Sequence, residues 1–237
     1  MMTFQEVIQE LEAMGTAQNR KIYRRHGAQE NLYGVSFANY KKLKKKIRSP
    51  EGKKGINHEV AIQLMGTGNA DAQTFGAMIG NPQKLTEQQA EDWIKEAEYY
   101  PVADYLGTLI YASPWREAKM KAWTQSNDEF FKRVGFGLVN QAAREASDLP
   151  DAFFLPFIEQ MEKEIQQSPN RAKEGMNNCL IAIGGRNEAL RKRVLQAAEV
   201  IGPVEIDHGE TSCKTFVIEE YVAKIWDRKA KLAAKAK

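Results

Sequence analysis

The fold is decided by residues 86–114, which read TEQQAEDWIKEAEYYPVADYLGTLIYASP. Thr86 can cap a helix whose first turn carries Glu87, a position where a carboxylate complements the helix dipole. We predict one helix over 86–98 and a second over 100–112, ended by Ser113-Pro114. This segment therefore predicts two helices joined by a very short connection.

The same arrangement recurs along most of the chain. Thr3, Thr16 and Ser36 can start three helices near the amino terminus, the third of them over Phe37–Ile47. Short separators then divide further helical stretches near 57–66, 69–80, 114–125, 127–146, 151–166, 170–184 and 187–201. Helix pairs that repeat at roughly 35 to 45 residues are typical of HEAT or armadillo arrays. We predict an all-α fold, an α-solenoid of HEAT/ARM-like antiparallel helix pairs with a concave groove.

Residues 1–237 are predicted to form a single domain. It begins with a basic helical unit over 1–55, continues with helix-pair repeats over 56–201, and ends with a loop and helix over 202–237. Within the last part, Ile201–Thr215 is predicted to be an ordered loop that caps the final helix, which starts at Phe216 and closes the array.

Composition places the chain among folded globular proteins, with 43% hydrophobic and 27% charged residues. No apolar run approaches the roughly 20 residues that span a bilayer, and the amino terminus lacks a secretory pattern. The two cysteines, Cys179 and Cys213, are interpreted as reduced thiols. We expect a monomeric cytoplasmic protein without a membrane partner.

The net charge of +3 conceals an uneven distribution. Between Arg20 and Lys54 there are 12 Lys/Arg and two acidic residues, a net charge of +10, which leaves 22 basic and 29 acidic residues elsewhere. The Lys224–Lys237 tail is basic again, with six Lys/Arg and one Asp. Basic ends around an acidic middle indicate a polyanion bound at selected places, and solvated helix faces are the alternative interpretation.

Metal and cofactor chemistry lack support in the sequence. Asp207, His208 and Cys213 lie close together, but no CxxC or HxxxH pair accompanies them. There is no Walker loop and no dinucleotide fingerprint. We therefore predict no metal and no cofactor.

Three segments and the amino-terminal region, Tyr23–Gly27, carry a resemblance to a known family. The segments are Trp93–Leu106, with YYPVADYL at its end; Trp123–Phe136, with FFKRVGF; and Gly175–Asn187, with NNCLIAIGGRN. Their order and spacing resemble the DNA alkylation repair family, the HEAT-like alkylpurine DNA glycosylases of the AlkD type. The resemblance covers most of the chain.

The resemblance implies a groove that holds a duplex with a cationic N3- or N7-alkylated purine. It implies that Asp104 stabilises the oxocarbenium ion and positions water, that Tyr100 is the first groove aromatic, and that Arg133 contacts phosphate. Asn178 stands where the family has a second tryptophan, so one ring of that pair is missing. Tyr100 and Asp104 are four residues apart, which places them on one helical face.

The basic amino-terminal unit supplies candidates for phosphate contact: Arg24, Arg25, Lys41, Lys44 and Lys45. Each neutralised phosphate adds salt-sensitive affinity. Because lysines in a run point around a helix, only some of them can reach one duplex.

Three hypotheses remain open. The first is a protein that binds double-stranded DNA, including alkylated DNA, and hydrolyses the N-glycosidic bond with Asp104. The second is a non-catalytic binder of damaged or branched DNA, favoured by Asn178. The third is a solenoid scaffold for protein partners, favoured by the acidic middle of the chain.

Overall fold

A computed structural model describes residues 1–235, and these form helices joined by loops. The thirteen α-helices in this range are α1 Phe4–Met14, α2 Ala17–Arg25, α3 Phe37–Lys44, α4 His58–Met65, α5 Ala70–Ile79, α6 Glu87–Lys95, α7 Tyr100–Tyr111, α8 Arg116–Trp123, α9 Glu129–Glu145, α10 Leu155–Glu164, α11 Asn170–Gly184, α12 Glu188–Ile201 and α13 Ile218–Lys235. Extended pairing in this range is limited to two isolated bridges, Gly15–Val35 and Arg48–Lys54. The all-α prediction is confirmed.

Local capping explains where these helices begin. Thr3 and Thr86 each form a capping box, with Glu6 and Gln89 respectively. The side chains of Thr16 and Ser36 accept hydrogen bonds from backbone N–H groups in the first turns of α2 and α3. These predicted starts are confirmed.

Several predicted starts were too early by two residues or more. Helix α8 begins at Arg116 instead of 114, and helix α10 begins at Leu155 instead of 151. Helix α9 begins at Glu129 instead of 127, because the carboxylate of Asp128 accepts the N–H groups of Phe130 and Phe131. Helix α13 begins at Ile218 instead of Phe216. The loop before it is confirmed, since residues 202–217 contain no helix.

Helix α7 accommodates a proline near its start. Tyr99 is the N-cap in an extended conformation, Tyr100 is the first helical residue and Pro101 follows it. The missing N–H of a proline in the first turn has no intrahelical acceptor to lose. The helix is therefore unbroken between Tyr100 and Asp104.

Backbone contacts group the chain into two compact units. The first unit comprises Met1–Glu117 with His208–Ser212, and the second comprises Ala118–Asp207 with Cys213–Lys237. The division falls within α8, not at residue 55 or 201, and the single-domain organisation stays a prediction.

Each unit has its own buried apolar residues. The core of the first unit includes Leu11, Leu43, Leu64 and Phe75, all fully buried. In the second unit α11 packs against both α9 and α13, and Phe136, Phe154 and Leu180 are among its fully buried side chains. Within residues 1–235, none of the helices combines the length and apolar character that crossing a bilayer demands.

Candidate functional site

A set of touching aromatic rings lies in the first unit. We call it the aromatic face, and it consists of Tyr23, Phe37, Tyr99, Tyr100 and Tyr105. Ring centroids are 6.3 Å apart for Tyr23 and Phe37, 6.2 Å for Tyr23 and Tyr99, 5.2 Å for Tyr99 and Tyr100, and 6.2 Å for Phe37 and Tyr105. Phe37 is 43% exposed, and three of the tyrosines are partly exposed. Part of this surface is therefore accessible to a ligand.

A buried carboxylate fixes the backbone next to the aromatic face. Asp71 is 2% exposed and accepts the backbone N–H groups of Tyr33 at 2.6 Å, Gly34 at 2.8 Å and Val35 at 2.8 Å. Three N–H donors can solvate an anion away from water. The fourth donor is the hydroxyl of Tyr40, at 2.5 Å.

The segment that Asp71 holds also fixes a ring of the aromatic face. The hydroxyl of Tyr23 donates to the carbonyl of Val35 at 2.7 Å. Burial, with the nearby charge of Asp71, raises the pKa of Tyr23 to about 12, so its hydroxyl keeps the proton that it donates. Gly34 has φ +80°, and a Cβ there would lie 2.6 Å from the carbonyl oxygen of Thr16, so this close approach requires glycine.

The predicted catalytic carboxylate lies at the edge of the aromatic face. Asp104 is exposed on α7, one turn after Tyr100 and next to Tyr105. Burial raises the pKa of Tyr105, and the negative charge of Asp104 adds to that effect. A carboxylate stabilises a developing cation strongly only where water is excluded. Asp104 is exposed, so this side chain alone does not provide such a water-excluded site.

The predicted cations of the first unit differ in availability. Arg24 and Arg25 are exposed at the end of α2, the helix that carries Tyr23, and Arg24 pairs with Glu30 at 2.5 Å. Lys41 and Lys45 are exposed, and Lys41 lies one turn after Phe37 on α3. Among residues 1–235, Arg25, Lys41 and Lys45 form no ion pair. They are therefore free to meet an anion.

Lys44 has a different environment. Its ammonium donates to the carbonyl of Met78 at 2.6 Å, and burial lowers its pKa. This lysine is committed to a contact inside the first unit, and a phosphate contact from it stays a prediction.

Arg133 belongs to the second unit and is only 5% exposed. Its guanidinium donates to the carboxylate of Glu174 at 2.8 Å and to the carbonyl of Arg171 at 2.9 Å. Burial raises the pKa of Glu174, but the guanidiniums of Arg133 and Arg171 together hold it below its ordinary value. The predicted phosphate contact of Arg133 stays a prediction, while the observed contacts are structural.

Asn178 lies half-buried on α11 and lines a cavity of about 860 Å³ in the second unit. The rings of Phe216 and Tyr221 line the same cavity and stack with their centroids 4.1 Å apart. These two rings were not singled out from the sequence, because Phe216 precedes α13 in a loop whose course no local pattern predicts.

The loop predicted to cap the final helix contains residues of both units. Residues 208–212 group with the first unit, and Gly209 lies against the carbonyl oxygen of Arg25. That this loop caps α13 and closes the array stays a prediction. Within residues 1–235 no group of three or more His, Cys, Asp or Glu side chains is placed to hold a metal ion. Cys179 and Cys213 are not joined in a disulfide, and burial raises the pKa of the Cys179 thiol.

Comparison with known proteins identifies the family. The model of the family described as DNA alkylation repair enzyme matches residues 7–219. The chain belongs to the DNA alkylation repair family.

Relatives of this member of the DNA alkylation repair family cover nearly its whole length. It is 28% identical over 232 residues to the uncharacterized protein Lin0241 of Listeria innocua and equally to the uncharacterized protein Lmo0209 of Listeria monocytogenes, covering 96% of this chain and 99% of each relative. One solved structure superimposes with a TM-score of 0.85 and 28% identity, over 96% of this chain and 95% of the other. That structure represents a new family of proteins related to the HEAT-like repeat DNA glycosylases, with affinity for branched DNA structures. The predicted HEAT-like repeat class is confirmed.

Proposed function

We propose that this protein binds DNA through the first unit and prefers branched DNA to a continuous duplex. One observation carries the proposal: exposed cations accompany partly exposed, touching rings on α2 and α3. Arg25 lies on α2 and Lys41 on α3, and Lys45 is the residue directly after α3. The solved relative with affinity for branched DNA supports it.

Each component of this surface suits a different part of DNA. Lysine and arginine neutralise phosphates and release counterions, which gives affinity without sequence preference. Aromatic rings stack on bases, and every base has a π-face. A continuous duplex hides these faces, whereas bases at a junction or an unpaired end expose them. The combination of rings and cations therefore favours branched DNA.

The proposal extends to the cellular compartment and the oligomeric state of the protein. We propose that the protein acts in the cytoplasm as a monomer, and two cysteines that are not joined in a disulfide are consistent with a reducing compartment.

Anisotropy titrations with a four-way junction and a duplex of the same sequence test the proposal between 50 and 200 mM salt, a range over which phosphate contacts weaken measurably. The double variant Lys41→Glu, Lys45→Glu should lose affinity for both DNAs, and Lys163→Glu, an exposed lysine of the second unit, is the matched control. Phe37→Ala should reduce the preference for the junction. A DNA affinity that does not change with salt concentration, or an equal loss of affinity in Lys163→Glu, would overturn the proposal.

A second candidate function is hydrolysis of the N-glycosidic bond of an N3- or N7-alkylated purine. Asp104 favours it, because this exposed carboxylate lies one turn from Tyr100 on an unbroken helix. Release of free base from a duplex containing 7-methylguanine, lost in Asp104→Asn, is the expected result. Release at the spontaneous rate, by protein that still binds the duplex, rejects this activity and leaves the binding function. If the protein binds none of these DNAs, both DNA functions are rejected and the hypothesis of a scaffold for protein partners is favoured.

A further inference from the structure

A cavity of about 860 Å³ in the second unit is separate from the aromatic face described above. Three helices line it, each with residues three to four positions apart: α9 through Asn140 and Arg144, α11 through Asn178 and Ile181, and α13 through Ile225 and Arg228. Cavities of about 300–1,000 Å³ are the size that binds small ligands.

Part of the cavity lining is apolar and includes an accessible ring. Ile181 and Ile225 belong to this part, and Phe216 is 46% exposed. The Phe216 ring stacks on Tyr221 with an interplanar angle of 22°, and the Asn177 amide donates to the Phe216 carbonyl at 2.8 Å. Tyr221 thus contacts the Phe216 ring, and Asn177 holds the backbone that carries it.

The cationic side chains at the cavity fall into two groups. Arg186 donates to the carbonyls of Ala143 and Leu149, and Lys229 donates to the carbonyl of Gly185, so these two groups serve the fold. The guanidinium groups of Arg144 and Arg228, by contrast, have no hydrogen bond or ion pair to any residue in 1–235. The Asn178 side chain is likewise without a hydrogen-bond partner in that range.

The charge of the cavity indicates an anionic ligand. Its lining contains four cationic side chains and one carboxylate, that of Glu145. Two available guanidiniums suit a phosphate, an available amide can both donate to and accept from a base edge, and an exposed ring provides a stacking surface.

We infer that this cavity binds a nucleotide, with its phosphate at Arg144 and Arg228, its base on Phe216 and its base edge at Asn178. The inference deepens the proposed function, on which it rests for DNA as the source: an unpaired nucleotide at a branch has this chemistry. A free nucleotide shares it, and the experiment separates the two sources.

The test uses the full-length protein and two groups of probes. The first group contains dAMP, deoxyadenosine and inorganic phosphate, and the second contains a flush duplex, the same duplex with a four-nucleotide flap, and a single strand. Arg228→Glu and Arg144→Glu are the cavity variants. Lys231→Glu is the control, since it makes the same charge change at an exposed position of α13 that does not line the cavity.

Each cavity variant should bind the flapped duplex and the single strand at least tenfold more weakly, with flush-duplex affinity within twofold of the wild type and of Lys231→Glu. Tight binding of dAMP without a preference for the flap identifies a free nucleotide as the ligand. Equal effects of the cavity variants and Lys231→Glu, or wild-type binding of none of the nucleotide probes, overturns the inference. Stronger competition by a polyglutamate peptide than by the single strand also overturns it, in favour of an acidic protein partner.

Failure of this inference is distinguishable from failure of the proposed function. Loss of junction binding in Lys41→Glu, Lys45→Glu concerns the first unit alone, whereas dAMP binding and its response to Arg228→Glu concern only the cavity.

Discussion

In the first unit Arg25, Lys41 and Lys45 are exposed and, within residues 1–235, form no ion pair, whereas in the second unit Lys132 and Arg133 are 6% and 5% exposed and paired. Lys132 pairs with Glu164 at 2.9 Å and Arg133 with Glu174 at 2.8 Å. Lys132 and Arg133 therefore hold helices together, whereas Arg25, Lys41 and Lys45 face solvent. A count of positive charge along the chain does not distinguish these two uses.

The two units also neutralise buried charge differently. In the second unit, guanidinium and ammonium groups meet carboxylates. In the first unit, the buried charge of Asp71 is an anion that three backbone N–H groups and the Tyr40 hydroxyl solvate. Burial raises the pKa of Tyr40, and the charge of Asp71 and the hydrogen bond to it raise that pKa further.

The largest expected effect comes from breaking the buried pair of the second unit. Arg133→Met leaves Glu174 without its main partner and should lower the free energy of unfolding by about 3–5 kcal/mol. Urea titrations measure this, with Arg25→Met in the first unit expected within about 0.5 kcal/mol of the wild type. Adding Glu174→Leu to Arg133→Met should restore part of the loss. Equal losses at Arg133 and Arg25 would remove the distinction between the units.

The next effect concerns the buried anion of the first unit. Asp71→Asn keeps the shape but removes the charge that accepts four hydrogen bonds, and should lower the free energy of unfolding by about 2–3 kcal/mol. Asp148→Asn makes the same change at an exposed position of the second unit and should have little effect. An Asp71→Asn variant as stable as the wild type would show that the donors, not the anion, organise residues 33–35.

A smaller effect should appear as acid sensitivity of the second unit. The pKa values of Glu164 and Glu174 are raised by burial but lowered overall by their cationic and hydrogen-bonding partners. A lowered folded-state pKa contributes stability that is complete above the unfolded value, near 4.5, and is lost as pH falls through the folded value. Unfolding free energies between about pH 3 and 7 should fall less steeply in Glu174→Gln than in the wild type. Glu159→Gln, at an exposed site, should follow the wild-type curve.

The smallest effect on stability is expected at the exposed lysines of the first unit. Lys41→Ala and Lys45→Ala should each change the free energy of unfolding by less than about 0.5 kcal/mol. If each lysine contacts a phosphate, each variant should reduce the slope of log affinity against log salt by about 0.9 on duplex DNA. A lysine variant that destabilises the fold, or one that leaves the slope unchanged, would assign that lysine to the structure and not to DNA.

Much of the fold was predictable because its signals are local. The Thr3 and Thr86 capping boxes join residues three positions apart, and an α-helix closes hydrogen bonds four residues apart. The resemblance rested on motifs that keep their order along the chain, and the family match over residues 7–219 confirms it. The relation of Tyr100 to Asp104 on one helix was predictable for the same reason.

The environment of individual charges was not predictable. Arg133 follows two phenylalanines on an amphipathic helix, a pattern that fits a surface arginine, yet Glu174, 41 residues later, buries and pairs it. Gly175 allows this, since even a Cβ there would lie 3.2 Å from the Arg133 carbonyl oxygen. Lys44 lies between exposed lysines in the sequence, but Met78 accepts its hydrogen bond from 34 residues away.

The sequence by itself determined the helices of this protein, their capping residues, its family and the concentration of positive charge near the amino terminus. These depend on residue types and on contacts within a turn or two of helix. Only the tertiary structure decided which cations are buried, how Asp71 supports the aromatic face, and that Phe216 meets Asn178 at one cavity. Burial depends on partners that are distant in sequence, and the free energy of a charge or a ring depends chiefly on what surrounds it.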